Sequence, residues 1–128
     1  MDEIIQPGPL SGTVRAIPSK SQAHRALICA ALADKPTNIE CEGTSKDIEA
    51  TEACLSALKA GDDLLRCGES GSTFRFLLPI IGALGRKVSF ILEGRLPERP
   101  LSPLYEELVN HGCRLSPQGS NPLASRDN

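Results

Sequence analysis

Three short segments combine small polar residues with cations in a way that suits the binding of anions. The first is Ser19-Lys20-Ser21, which Arg25 follows one helical turn later. A serine cap leaves backbone N–H groups free at a helix start, and the helix dipole adds partial positive charge there. Lys20 supplies a point charge, and the guanidinium of Arg25 can hold a phosphate or a carboxylate with two hydrogen bonds. A plain capped helix with solvated cations is the alternative for this segment alone.

The second segment is Gly68-Glu69-Ser70-Gly71-Ser72-Thr73, with Arg75 just beyond it. Its glycines allow a ligand to approach the backbone closely, and its hydroxyls stand at the start of an expected helix. It lacks the Gly-Lys-Ser/Thr end of a P-loop and the GxGxxG pattern of dinucleotide sites. A glycine-rich turn between two elements is the alternative.

The third segment, residues 94–100, places Arg95 and Arg99 in a loop that Pro97 and Pro100 stiffen. Prolines reduce the entropy that is lost when an arginine is held in place. A solvated, charged loop is the alternative. The sequence also contains a repeated unit of about 51 residues, and the three segments fall at equivalent junctions of that unit. We therefore expect the three segments to converge on one cleft.

Other chemistry-bearing residues are weaker candidates. His24 and His111 are expected at the surface or at helix ends, and Asp47 is expected to cap a helix. The five cysteines are well separated and form no CxxC pair, which argues against a zinc site. They are typical of reduced, mostly buried thiols in a cytoplasmic protein.

Composition excludes several classes of function. The 128 residues contain 14 Lys and Arg and 16 Asp and Glu, and a formal charge of −2 disfavours a nucleic-acid partner. No run of about 18 apolar residues is present, so no membrane-spanning segment is expected. The first residues lack the pattern of a signal peptide. At 40% hydrophobic and 3% aromatic, the core must be mainly aliphatic.

The elements that must position the three segments repeat at an offset of about 51 residues. Glu42-Gly43 corresponds to Glu93-Gly94, and Gly61 corresponds to Gly112. Each unit is a small polar turn, an apolar helix, a strand, a glycine and an amphipathic helix that ends at a second glycine. A solenoid of such units without chemistry is the alternative to a binding protein.

This pattern predicts an α/β fold. The predicted helices cover residues 22–33, 47–60, 74–84 and 100–110, and the predicted strands cover residues 13–17, 37–42, 88–93 and 113–115. The expected organisation is an entry segment with the first strand at 1–18, one repeat at 19–61, a second repeat at 62–115 and a tail at 116–128 that frays.

In order and combination, the three segments resemble motifs of the 5-enolpyruvylshikimate-3-phosphate synthases, also called 3-phosphoshikimate 1-carboxyvinyltransferases. Pro18 to Leu27 resembles P-G-S-K-S-x-x-N-R-A-L, although the glycine is missing and His24 replaces the asparagine. Gly68 to Phe76 resembles G-N-A-G-T-x-x-R-P, in the G-E-S-G-S-T-x-R-F form of some bacterial members. Gly94 to Pro100 resembles G-x-x-x-x-x-R-P, and Ser45-Lys46-Asp47 resembles S-D-D.

The resemblance implies an inside-out α/β barrel of βαβα(ββ) units, of which this chain would hold the first two in shortened form. It implies transfer of the carboxyvinyl group of phosphoenolpyruvate to the 5-hydroxyl of shikimate 3-phosphate, with release of phosphate. This step belongs to the shikimate pathway toward chorismate and the aromatic amino acids, and it needs no metal or organic cofactor. The UDP-N-acetylglucosamine enolpyruvyl transferases are the second choice, because they have Lys-Asn where this chain has Lys20-Ser21.

Substrate-binding roles also follow from the resemblance. It assigns shikimate 3-phosphate to Lys20, Ser21 and Arg25, and phosphoenolpyruvate to Lys20, Gly71 and Arg99. Ser72 and Arg75 would line the same region.

Family members are several times longer than this chain and have two domains of three repeats each. Their acid–base carboxylates come from the later domain, so no catalytic residue is assigned here. The chain, as an N-terminal part that lacks its second domain, is expected to be inactive alone. Unpaired sheet edges make self-association a further expectation, and a non-catalytic anion-binding scaffold is the alternative function.

Overall fold

The structure is a computed structural model that describes residues 2–126. The main helices are α1 (Lys20–Leu32), α2 (Lys46–Lys59), α3 (Gly71–Leu84) and α4 (Leu104–Asn110). The strands are β1 (Leu64–Gly68), β2 (Val88–Leu92), β3 (Arg114–Leu115) and β4 (Leu123–Arg126). Helices α2 and α3 pack on the sheet, and α1 packs on α2. The predicted α/β class is therefore confirmed.

Serine caps start the three long helices. The hydroxyls of Ser19, Ser45 and Ser70 each accept a hydrogen bond from the backbone N–H three residues later, at 3.4, 3.2 and 3.2 Å. Such a cap satisfies one of the N–H groups that a helix start leaves without an intrahelical partner. Because Ser70 is a cap, α3 begins at Gly71, three residues before the predicted start.

The four strands lie in the order β1-β2-β4-β3. Strands β1 and β2 are parallel, and α3 connects them, whereas β4 runs antiparallel to both β2 and β3. Phe90 stands between Leu65 on β1 and Leu123 on β4, and these three side chains are at most 1% exposed. Phe74 of α3 meets Phe90 edge to face at 5.4 Å, which joins the helix layer to the sheet.

Two predicted strands are wrong. Residues 13–17 and 37–42 contain no strand, and most of their side chains are exposed. Alternating apolar residues give a segment strand propensity, but a strand forms only where a neighbour completes the hydrogen-bonded ladder. In the second unit the equivalent segment, β2, has a neighbour on each side.

Two observed strands were not predicted. Strand β1 lies in the short segment between Gly61 and Gly68, where the sequence predicts no strand. Strand β4 lies in the tail that was predicted to fray; for residues 116–126 this prediction is wrong, and residues 127–128 lie outside the described part. The Asn121 side chain accepts from the Leu92 N–H at 2.9 Å and donates to the Leu92 carbonyl at 2.7 Å. These bonds hold the tail beside the end of β2.

The thiols divide into buried and exposed groups. Cys54 and Cys67 are buried, whereas Cys29 and Cys41 are exposed, so the prediction of mostly buried thiols is wrong. The hydrogen bond that the Cys67 thiol donates to Cys54, together with burial, raises the pKa of Cys67. A thiol that resists ionisation is a poor nucleophile, which makes a structural role the natural one for Cys67.

Within residues 2–126, no helix has the length and apolar character needed to cross a membrane.

Replacing Leu123 by alanine tests whether the tail belongs to the core. Leu123 is 1% exposed, so Leu123→Ala should lower the free energy of unfolding by about 2–5 kcal/mol, because it leaves a cavity beside Phe90. Leu10 is 99% exposed, and Leu10→Ala is the matched control, with a change of less than about 0.5 kcal/mol. Urea unfolding measures both, and equal midpoints for the two variants would contradict the placement of β4.

Candidate anion-binding site

Lys20, the first residue of α1, is held by an acidic residue of α2. Its Nζ lies 2.6 Å from Oδ2 of Asp47. This hydrogen bond is the main reason that the pKa of Asp47 lies below its ordinary value. The Lys20 side chain is nevertheless 49% exposed, so the ammonium is oriented on one side and open to a ligand on the other.

Ser21 and Arg25, four residues apart on α1, are hydrogen-bonded to each other. Nη1 of Arg25 donates to the hydroxyl of Ser21 and, at 3.2 Å, to its carbonyl oxygen. The guanidinium also lies over the Phe76 ring of α3, 5.1 Å from the ring centroid. A cation over an aromatic face is attracted by the ring quadrupole. These contacts hold Arg25 at the contact between α1 and α3, with Ser21 beside it.

A second cluster of cations lies at the start of α3. A Cβ added to Gly71 would stand 2.8 Å from Nη1 of Arg99 and would also collide with Nη1 of Arg75. Nη2 of Arg75 donates to the Pro100 carbonyl at 2.9 Å. Burial and, after it, the positive charge of Arg99 lower the pKa of Arg75. Two guanidiniums beside a helix N-terminus repel each other, and a bound anion would relieve this repulsion.

The parallel pairing of β1 and β2 explains why the second and third segments meet. The carboxyl ends of adjacent parallel strands lie at the same edge of a sheet. Here the Glu93 N–H, just after β2, donates to the Gly68 carbonyl at the end of β1 at 2.8 Å. Gly94 has a φ of +58°, and a Cβ there would lie 2.8 Å from Cδ of Glu69. The chain after β2 is therefore closely packed against the start of α3.

A polar seam, defined here as His24, Thr51, Thr73 and Ser70, connects the helices behind these clusters. Nδ1 of His24 lies 2.6 Å from the Thr51 hydroxyl, which lies 2.7 Å from that of Thr73, and Thr73 lies 2.7 Å from the Ser70 hydroxyl. All four side chains are buried. Thr73 also donates to the Asp47 carbonyl at 3.2 Å.

Asp47 thus connects the two cation clusters, because its carboxylate contacts Lys20 and its carbonyl contacts Thr73 in the first turn of α3. The structure brings together the predicted site residues of each cluster. Ser72 is half-buried in the first turn of α3. Arg95, in contrast, is exposed and pairs with Glu98 at 3.5 Å, away from Gly71.

The expected surface position of His24 is wrong, because this side chain is 0% exposed. Its place in the seam went unpredicted, as did that of Thr51. Thr51 stands three residues after Ile48 and four before Leu55 on the buried face of α2. A hydroxyl in such an apolar stripe indicates a buried hydrogen-bond partner.

His111 is exposed, as predicted. In the described part of the chain, no three His, Cys, Asp or Glu residues are grouped as metal ligands.

The comparisons with known proteins all find similarity to the same protein family. The sequence profile of EPSP synthase (3-phosphoshikimate 1-carboxyvinyltransferase) matches residues 4–65. A 3-phosphoshikimate 1-carboxyvinyltransferase of Clostridium kluyveri is 40% identical over 80% of this chain, and one of Clostridium perfringens is 41% identical over 92%. The chain is related to the EPSP synthases. It spans 28% and 32% of the length of these two curated relatives.

The EPSP synthase of Acinetobacter baumannii has a similar fold, with a TM-score of 0.75 over 90% of this chain and 32% of that protein. At 19% identity, this comparison supports the fold alone. The sequence matches confirm the resemblance expected from the motifs, and the fold is similar to that of part of an EPSP synthase.

The stability of the chain should depend on pH through His24. Burial is the main reason that the pKa of His24 lies below its ordinary value of 6.5. As the pH falls below that value, the unfolded chain gains a proton that the folded chain resists, so the free energy of unfolding should decrease. Above it, the histidine is neutral in both states and the full stability is present.

Chemical unfolding between pH 7.5 and pH 5.5, above the ordinary range of carboxyl groups, measures this effect over a span of about two pH units. The variant His24→Asn should lose most of the dependence, whereas His111→Asn, at the exposed histidine, should keep it. Parallel curves for the native chain and His24→Asn would contradict the assignment.

Proposed function

We propose that this chain forms the phosphate-binding part of an enolpyruvyl transferase that acts on phosphoenolpyruvate and shikimate 3-phosphate. The observation that carries the proposal is the convergence of Arg75 and Arg99 on Gly71, next to the Lys20–Asp47 pair. Each substrate carries a phosphate and a carboxylate, and such groups are bound best by guanidinium, ammonium and free N–H donors. The sequence relatives are named for this reaction.

In this proposal shikimate 3-phosphate is bound at the first turns of α1. The hydroxyl of Ser21, the guanidinium of Arg25 and the open side of Lys20 offer donors there. Arg25 is already oriented by Ser21 and by the Phe76 ring, which lowers the entropy lost on binding.

Phosphoenolpyruvate is bound at the start of α3. The two guanidiniums and the first-turn N–H groups of Gly71 and Ser72 would surround its phosphate, and Lys20 would stand between the two substrates. Gly71 is suited to this place because any side chain would occupy the space that the guanidiniums now fill. The same donors could hold the phosphate as it leaves.

The reaction joins the 5-hydroxyl oxygen to C2 of phosphoenolpyruvate while C3 gains a proton, and the tetrahedral product then loses that proton equivalent and phosphate. It therefore needs an acid and a base near C3. Asp47 is committed to Lys20, and the two cation clusters supply donors rather than a base. We therefore assign binding to this chain and the proton transfers to residues of a second domain.

The exposed thiols of Cys29 and Cys41 fit a reducing, cytoplasmic setting.

Replacing Arg99 should weaken the binding of phosphoenolpyruvate to the 128-residue chain. Loss of a charge-assisted pair costs about 1.5–3 kcal/mol, so Arg99→Gln should raise the Kd about 10- to 100-fold. Arg95→Gln, in the same loop but paired with Glu98, is the matched control and should leave the Kd nearly unchanged. An NMR titration followed at the Gly71 amide measures both; equal Kd values for the two variants would sink the proposed site.

The chain alone should bind both substrates without turnover, because residues 2–126 place no free acid–base pair beside the two cation clusters. Phosphate release from phosphoenolpyruvate and shikimate 3-phosphate measures this directly, and steady release would overturn the division of roles. Addition of a separately produced second domain of a clostridial EPSP synthase should restore turnover. Binding of both substrates with no restored turnover would instead favour the scaffold function, and competition by a UDP-amino sugar would favour the other enolpyruvyl transferase.

A further inference from the structure

We propose that His24 is a positioning residue, the donor end of a proton-ordered chain of hydroxyls that orients Asp47 and, through it, Lys20. The chain runs from Nδ1 of His24 through the hydroxyls of Thr51 and Thr73 to the backbone carbonyl of Asp47. It crosses from α1 to α2, from α2 to α3 and back to the start of α2. The inference deepens the proposed function and rests on it in one respect, the role of Lys20 as a phosphate ligand.

The Asp47 backbone carbonyl fixes the direction of the hydrogen bonds in the chain. A carbonyl oxygen can only accept, so Thr73 donates its one hydroxyl proton to Asp47 at 3.2 Å and must accept from Ser70. Thr73 also accepts from Thr51, at 2.7 Å. The Thr51 proton is then committed, so Thr51 accepts from His24, which places the proton on Nδ1. Hydrogen bonds that run in one direction polarise each other and become stronger.

The other ring nitrogen supports this tautomer. Nε2 of His24 is buried and has no hydrogen-bond partner among residues 2–126. A bare lone pair costs less there than an N–H group without an acceptor, and far less than an imidazolium. Lys20 and Arg25 on α1 also disfavour a positive ring, Asp47 on α2 favours one, and α3 contributes the uncharged edge of Phe76 at 5.9 Å between ring centroids.

The chain gives one histidine an influence on both substrate positions. The Asp47 carbonyl accepts from Thr73, and its carboxylate holds Lys20, so Asp47 is fixed between the first turn of α3 and the start of α1. If the His24 donor is lost, the hydroxyls can reorient and Thr73 need no longer donate to the Asp47 carbonyl. Lys20 would then lose a fixed partner, although it lies one turn away from the substituted residue.

The tautomer can be measured on the native chain without any ligand. A long-range proton–nitrogen NMR correlation of the His24 ring should show a protonated Nδ1 and an unprotonated Nε2 at pH 7.5. In Thr51→Val, which removes the acceptor but keeps the shape, this preference should be lost. A proton on Nε2 in the native chain, or an unchanged tautomer in Thr51→Val, would overturn the proposal.

A pair of amide variants tests the positioning role. The amide of asparagine can place its N–H near the position of Nδ1, whereas that of glutamine reaches toward Nε2. With inorganic phosphate as the probe, His24→Gln should raise the Kd at least about threefold, as expected for a ligand held less firmly, and His24→Asn should restore it. Equal Kd values for both variants and the native chain would contradict the positioning role. If the native chain binds no phosphate, the proposed function fails, while the tautomer measurement still decides the hydroxyl chain.

Discussion

The close approach of two guanidiniums to the backbone of Gly71 is the contact on which the rest of the site depends. Like charges do not gather at a helix N-terminus without a structural cause, and here several causes combine. The Ser70 cap starts α3 at a residue with no side chain, and the Pro100 carbonyl holds Arg75. The loop after β2 brings Arg99 to the same edge because β1 and β2 are parallel. The result is a concentration of positive charge at the N-terminus of α3.

The polar seam fixes α1 and α2 against the start of α3, where these cations lie. A buried hydroxyl is costly unless it is hydrogen-bonded. The hydrogen bond between Thr51 and Thr73 therefore restricts the packing of α2 on α3 more than aliphatic side chains would. Asp47 extends that contact to Lys20. The two cation clusters are therefore linked through hydrogen bonds to Asp47, which suits the proposed reaction, in which two phosphorylated substrates must meet.

Helices and their caps could be predicted from the sequence because the signals are local. The Ser19 cap and the glycine after α2 lie where the pattern places them. Strands could not be predicted as well, since their existence depends on distant partners: residues 37–42 alternate but have no neighbour in the sheet, and β4 forms because β2 offers it an edge. His24 shows the same limit within a motif. Its identity suggested a surface residue, but its burial depends on Thr51, 27 residues away.

A crystal structure of the chain with phosphoenolpyruvate tests the central claim most directly. The account predicts the phosphate between the guanidiniums of Arg75 and Arg99, within hydrogen-bond distance of the Gly71 N–H, with Lys20 still paired to Asp47. A ligand bound elsewhere, with Arg75 and Arg99 in their present positions and the start of α3 unoccupied, would contradict it.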